Sequence, residues 1–168
     1  QGMSWNVPME DLARIIDHAI DNGYTIAWGG DVSEDGFTRN GIAVLADDKK
    51  VQDLDGSDMA KWLKLSSDKK KEKLQKLGVN VPELVPSQEQ RQNEFDNWQL
   101  TDDHGMQIYG KAKDQNGREY YMVKNSWGET GEYKGVWYMT KNFIVAKTMD
   151  FLINKNALPK DIRKKLGL

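Results

Sequence analysis

The sequence predicts an α+β fold, and three observations carry that prediction. An amphipathic helical pattern opens the chain, an Asn-Gly turn joins two β-rich runs in its last third, and a lysine-rich helical stretch separates the first strands from that hairpin. The chain has 168 residues and 19.2 kDa, the size of one compact domain. Apolar residues make up 38% and charged residues 30%, and six Trp, six Tyr and four Phe give too aromatic a chain to stay disordered.

Each element follows from local chemistry. Pro8 suits a first helical position, and Met9, Leu12, Ile15, Ile16, Ala19 and Ile20 share one helical face until Asn22 and Gly23 end it. Residues 24–28 read as a strand ended by Gly29 and Gly30, residues 31–40 as a polar loop, and residues 41–46 as a second strand. Residues 47–100 read as a helical insertion between strands, not a second domain: lysines cluster, apolar residues thin out, and Pro82 and Pro86 break the chain. Two helices are expected there, over 67–77 ending at Gly78 and over 87–98, the latter opened by Ser87 and Gln90 at capping-box spacing. The lysine run reads as a solvated helix face. Residues 104–113 and 118–124 pair across a two-residue Asn116-Gly117 turn, and residues 135–139 form a further strand. Thr140 caps a helix reaching Lys147, Met149, Phe151 and Ile153 alternate as a strand, and Pro159 opens a last basic helix over 160–166.

Composition excludes several functions. Lys+Arg 24 against Asp+Glu 26 leaves a net charge of −2, so no overall field favours nucleic acid or an anionic membrane. No apolar run is long enough to span a bilayer, and the first residues carry neither the basic start nor the apolar stretch of a signal peptide. With no cysteine, the chain has no disulfide, no thiolate metal site and no thiol nucleophile of its own. No metal site and no cofactor are expected.

The two histidines differ. His18 lies beside Asp17 in the first helix, away from the apolar stripe, and reads as an exposed helix residue. His104 and Asn125 stand 21 residues apart with the Asn-Gly turn midway, so the hairpin brings them to the same end of adjacent strands. An Asn carbonyl can fix the tautomer and orientation of an imidazole base. On pattern alone the two read first as an ordinary surface hydrogen-bonded pair and only second as a catalytic one.

The strings around them say more. Asp103-His104-Gly105-Met106, then Lys124-Asn125-Ser126-Trp127-Gly128, then Gly135-Val136-Trp137-Tyr138 resemble the histidine and asparagine blocks of papain-like cysteine peptidases. Asn6 to Leu12, Ala27 to Val32, Lys141-Asn142-Phe143 and Ala157 to Ile162 are similar to the bleomycin hydrolase and aminopeptidase C family within that clan. The resemblance spans nearly the whole chain, is weakest over 47–100, and is to the C-terminal portion of that family. It implies the papain-like cysteine proteinase fold, mainly its antiparallel β-barrel-like half with accessory helices, as a single unit over 1–168. It implies a cysteine-type aminopeptidase in which His104 is the catalytic histidine and Asn125 its orienting asparagine. Trp127 would cover their hydrogen bond, Asp103 and Gly105 would flank the cleft, Trp28 would border it, and Trp127 and Trp137 would be core.

The nucleophilic cysteine and oxyanion-hole glutamine belong to the family's N-terminal portion, so this chain alone is expected to be inactive; Ser126 is part of the motif and no substitute nucleophile. The implied partners are a peptide substrate, the cysteine-bearing portion and, by family analogy, a ring hexamer; the implied location is cytoplasmic. The family's C-terminal arm, which restricts the cleft to substrate amino termini, runs on past the last helix, whereas this sequence stops at Leu168. Half of such an enzyme should expose an apolar face around His104. The alternative is a non-catalytic pseudo-peptidase that binds peptides in a groove lined by Trp28, Trp127 and Trp137.

Overall fold

The first helix presses its apolar stripe onto a sheet. In the structure, a computed structural model describing residues 3–56 and 58–168, α1 (Met9–Asp21) buries Leu12, Ile15, Ile16 and Ala19. It ends where the Asn22 amide bonds back to the His18 and Ala19 carbonyls. The chain then enters β1 (Ile26–Gly30), which does not stop ahead of its two glycines but runs through both. Tertiary packing overrides their weak strand propensity: a β-carbon on Gly30 would strike the Trp28 ring and the Lys147 carbonyl, so only glycine allows that close approach.

The sheet gathers β2 (Ile42–Ala43), β3 (His104–Lys113), β4 (Glu119–Lys124), β5 (Val136–Thr140) and β6 (Thr148–Leu152) around β1 in the order β2-β5-β4-β3-β1-β6. Among the described residues only the β2–β5 pair is parallel. One face carries Ile26, Trp28, Met106, Ile108, Tyr121, Val123, Trp137 and Met139, closed over by Ile16 and Ala19 of α1 and by Phe143 and Ile144 of α6 (Lys141–Lys147). Each such side chain removed from water contributes about 1.5–3 kcal/mol, which is what holds the helices on the sheet. Between β3 and β4 the loop is one residue longer than the Asn-Gly pair suggests: Asp114 and Arg118 close residues 115–117, with Gly117 left-handed (φ 81°) and the Asp114 carboxylate accepting from the Asn116 and Arg118 amides.

The second strand is shorter than its apolar run, because Val44 and Leu45 are drawn away from the sheet. The Leu45 amide donates to Glu83 Oε2 at 3.0 Å, and Val44 joins a second buried cluster with Val51, Trp62, Leu74 and Val81. That cluster is built largely by residues 47–100, which hold two helices beyond those expected: α2 (Asp48–Asp55) and α3 (Met59–Leu63), N-capped by Asp47 and Asp58. Next, α4 (Ser67–Leu77) ends at Gly78. Its lysines split: Lys69 and Lys76 lie on the solvated face with Glu72, whereas Lys70 (13% exposed) reaches Asp35 at 3.5 Å and Lys73 reaches Asp55 at 2.8 Å.

The next helix, α5 (Gln88–Asp96), opens on the Ser87 cap and stops two residues early, ahead of Trp98 at φ 58°. Its Arg91 caps the end of α6, donating to the carbonyls of Val145, Ala146 and Thr148. Thr140 caps α6 as the sequence implies, its Oγ1 accepting from the Phe143 amide at 3.1 Å, and α7 (Lys160–Lys165) follows Pro159. His18 departs from expectation. It is half-buried, and its Nδ1–H donates to the Ala157 carbonyl at 2.8 Å, because the chain near the C-terminus packs across α1. Among the described residues no helix is long and apolar enough to cross a membrane.

Candidate active site

His104 opens β3, facing Gly30 across the β1 ladder, with Gly105 facing Gly29. Asn125 follows β4 immediately, its amide held on the Gly135 carbonyl at 2.9 Å. The hairpin brings the two side chains together: His104 Nε2 lies 2.7 Å from Asn125 Oδ1. The Ser126 amide donates to the same oxygen at 2.7 Å, which fixes Oδ1 as the acceptor. Nε2 therefore carries the proton, and in the neutral ring Nδ1 is left with the lone pair and no protein partner among the described residues. Asn125 is 3% exposed and its Nδ2 has no partner among the described residues.

Trp127 lies against this pair. Its ring centroid is 4.9 Å from that of His104, and its other edges meet Phe37 at 6.4 Å and Trp137 at 5.7 Å. Trp137 is core, stacked on Phe37 at 5.3 Å, but Trp127 is not: it is 53% exposed. It stands outside the sheet in the 125–135 loop and packs on one side only. The loop is shaped by Gly128, Gly131 and Gly135, all left-handed. At Gly135 (φ 82°) a β-carbon would also overlap the Gly128 carbonyl.

Asp103 and Gly105 flank the imidazole and are exposed. The Asp103 amide donates to the Gly30 carbonyl at 3.3 Å, and its Oδ1 accepts from the Val32 amide at 3.0 Å. Trp28 is not on this surface: it is 2% exposed, in the core, with Nε1 donating to Thr148 Oγ1 at 2.8 Å, because its side chain projects from the covered face of β1. A cavity of about 350 Å³ opens just upstream of His104, lined by Phe95, Trp98, Leu100, Asp102 and Met149 among others. Phe95 and Trp98 are exposed at this cavity, and Trp127 is exposed beside His104.

One residue stands out that the sequence shows only as part of the Ala27 to Val32 string. Asp31, 1% exposed, ends the turn out of β1, and its carboxylate collects donors from Ser33 and Thr101. Burial opposes its charge, but those hydrogen bonds and the nearby Lys147 outweigh it and hold the carboxyl below its usual range. No group of three or more His, Cys, Asp or Glu among the described residues is placed to hold a metal.

Comparison with known proteins identifies a family. A sequence profile described as the peptidase C1-like family matches residues 83–167, half of the chain, and that match contains His104 and Asn125. Cathepsin L1 of Drosophila melanogaster is 45% identical over 40 residues, covering 24% of this chain and 11% of that protein. The crystal structure of PepW from Lactobacillus rhamnosis HN001 superposes over 95% of this chain with a TM-score of 0.58 and 18% identity, a likeness of fold. The chain spans 29% of the length of that PepW chain.

Proposed function

The chain belongs to the peptidase C1-like family and has the α+β fold of a papain-like peptidase, in its C-terminal portion; from that premise we propose that it supplies the histidine and asparagine of a cysteine aminopeptidase of the bleomycin hydrolase type. The observation that carries this reading is the His104–Asn125 hydrogen bond of 2.7 Å beneath Trp127, with Nδ1 left free.

The chemistry needs a cysteine that none of the 168 residues provides, so the thiol comes from another part of the enzyme. His104 Nδ1 takes the thiol proton, and the thiolate attacks the peptide carbonyl. As the tetrahedral intermediate collapses, the Nδ1 proton passes to the leaving amine and a thioester remains. Water then attacks the thioester, giving its proton to Nδ1, and the acid product and the thiol are released. Throughout, Asn125 Oδ1 holds Nε2–H, which keeps the ring in the useful tautomer. Trp127 limits the access of water to that bond, which strengthens it.

The test joins this chain to the cysteine-bearing portion of its enzyme and follows hydrolysis of fluorogenic aminoacyl amides. His104→Ala is expected to lower kcat/KM by roughly 10²–10⁴-fold with the fold retained, and Asn125→Ala to lower it less. Undiminished activity in His104→Ala overturns the assignment. N-acetylated substrates separate aminopeptidase from endopeptidase action, since only an endopeptidase cleaves them. Peptide binding without turnover in the joined protein would point instead to a pseudo-peptidase, the reading that the lack of cysteine favours for the chain by itself.

A further inference from the structure

The three residues ahead of His104 lie outside the β3 ladder, yet they are fastened. Asp31 Oδ1 accepts from the Ser33 amide at 2.8 Å and Ser33 Oγ at 2.6 Å, and Oδ2 accepts from the Thr101 amide at 2.9 Å and Thr101 Oγ1 at 3.4 Å. Thr101 is three residues before His104. The return contacts of Asp103 with Gly30 and Val32 complete a clamp that lays residues 101–103 along residues 30–32.

The corner beneath this clamp is fixed as well. The Asp31 amide donates to the Lys147 carbonyl at 3.0 Å. The Lys147 ammonium, 1% exposed, lies between the Glu34 and Glu94 carboxylates. The Glu94 carbonyl accepts from the Gln99 and Leu100 amides at 2.8 and 3.0 Å, so the chain is already guided as it leaves α5. Asp31 is the point at which this buried corner takes hold of the segment bearing His104.

We infer that Asp31 is a positioning residue for His104: its buried carboxylate fixes residues 101–103 on the end of β1 and so sets the imidazole against Asn125. The inference rests on reading His104 as the base, but it concerns geometry and is tested without turnover. Two oxygens satisfy four donors here. An isosteric asparagine would turn an NH₂ group toward the Ser33 or the Thr101 amide, leaving two donors facing each other. The first residue of β3 would then fray from its end, and a hydrogen bond of 2.7 Å between two side chains tolerates little drift.

The test uses NMR of the full 168-residue chain, reading the His104 Nε2–H proton and ring ¹⁵N signals together with amide exchange. In Asp31→Asn the Nε2–H signal is expected to broaden or vanish and the Thr101 amide to exchange about tenfold faster or more, while the Tyr121 and Val123 amides of β4 stay protected. Glu83→Gln alters a half-buried carboxylate at a different corner and is expected to leave His104 unchanged. Retention of the Nε2–H signal in Asp31→Asn despite faster Thr101 exchange overturns the inference, as does equal loss in Glu83→Gln. Where Asp31→Asn does not fold, Thr101→Val and Ser33→Ala each delete one hydroxyl from the same carboxylate. Thr101→Val is expected to shift the His104 ring signals more, since only Thr101 belongs to the segment leading to His104; equal shifts, or none, overturn the inference. Failure of the catalytic reading appears separately, as turnover by His104→Ala, and leaves these signals untouched.

Discussion

Asn125 divides one oxygen between two donors, the His104 ring and the Ser126 amide, and its backbone hangs from the Gly135 carbonyl. The orientation of the imidazole therefore depends on a glycine ten residues downstream that touches no reacting atom. Gly135 sits at φ 82°, where an L side chain is strained, and a β-carbon would meet the Gly128 carbonyl, which is backbone and cannot swing aside. Gly135→Ala is expected to cost about 2 kcal/mol or more and to weaken the His104–Asn125 bond at the same time. Urea titration followed by intrinsic fluorescence measures the first effect and the Nε2–H signal the second. Gly131→Ala is the comparison: its φ of 72° brings a similar conformational penalty, but its nearest neighbour is 3.8 Å away, so the loss should be smaller. Equal losses would show that the clash at Gly135 is relieved elsewhere in the loop.

At the scale of elements, α6 shows how a local signal and a long-range one are joined. Thr140 Oγ1 accepts from the Phe143 amide as an N-cap and also donates to the Glu83 carboxylate, which takes the Leu45 amide and Asn142 Nδ2 as well. Thr140→Ala is expected to cost about 1–2 kcal/mol and Thr140→Ser much less, because serine keeps the hydroxyl; thermal unfolding by circular dichroism reads both. Two equal losses would place the contribution in the threonine methyl group. The cap was legible in the sequence because it spans three residues, whereas its link to Glu83 was not, since nothing local connects positions 57 apart. The same division runs through the fold. The stripe of α1, the β3–β4 hairpin and the meeting of His104 with Asn125 follow from periodicity and turn chemistry. The passage of β1 through Gly29 and Gly30, the loss of Val44 to the second cluster, the burial of Trp62 and the exposure of Trp127 are set by what packs against each residue. Asp31 was visible as part of a string, but its burial and its four donors depend on where residues 33 and 101 come to lie.

For the whole molecule, the Glu83 and Asp31 carboxylates give opposite responses to pH. Burial raises Glu83 above its ordinary 4.5, more than its hydrogen bonds from Thr140 and Leu45 and the nearby Arg118 pull it down. The native state then holds that proton more tightly than the unfolded chain, so its contribution to stability is fully present below about 4.5 and is lost as pH rises through the raised folded value. Asp31 runs the other way. Its folded carboxyl lies below the ordinary 3.8, so its contribution is present above that value and disappears as pH falls through the folded one. The exposed Arg14–Asp161 pair, which holds Asp161 down to about 2, is screened by solvent and does not decide the profile. Relative to the parent chain, Glu83→Gln should therefore gain stability as pH rises from about 4.5 through the raised folded value, whatever its offset at the acid end. The deficit of Asp31→Asn should shrink as pH falls from the ordinary 3.8 through the lowered folded value. Urea midpoints across those ranges test both slopes. Two curves parallel to the parent would mean that neither carboxylate changes its proton affinity on folding, and that the Asp31 corner is held by packing, not by charge.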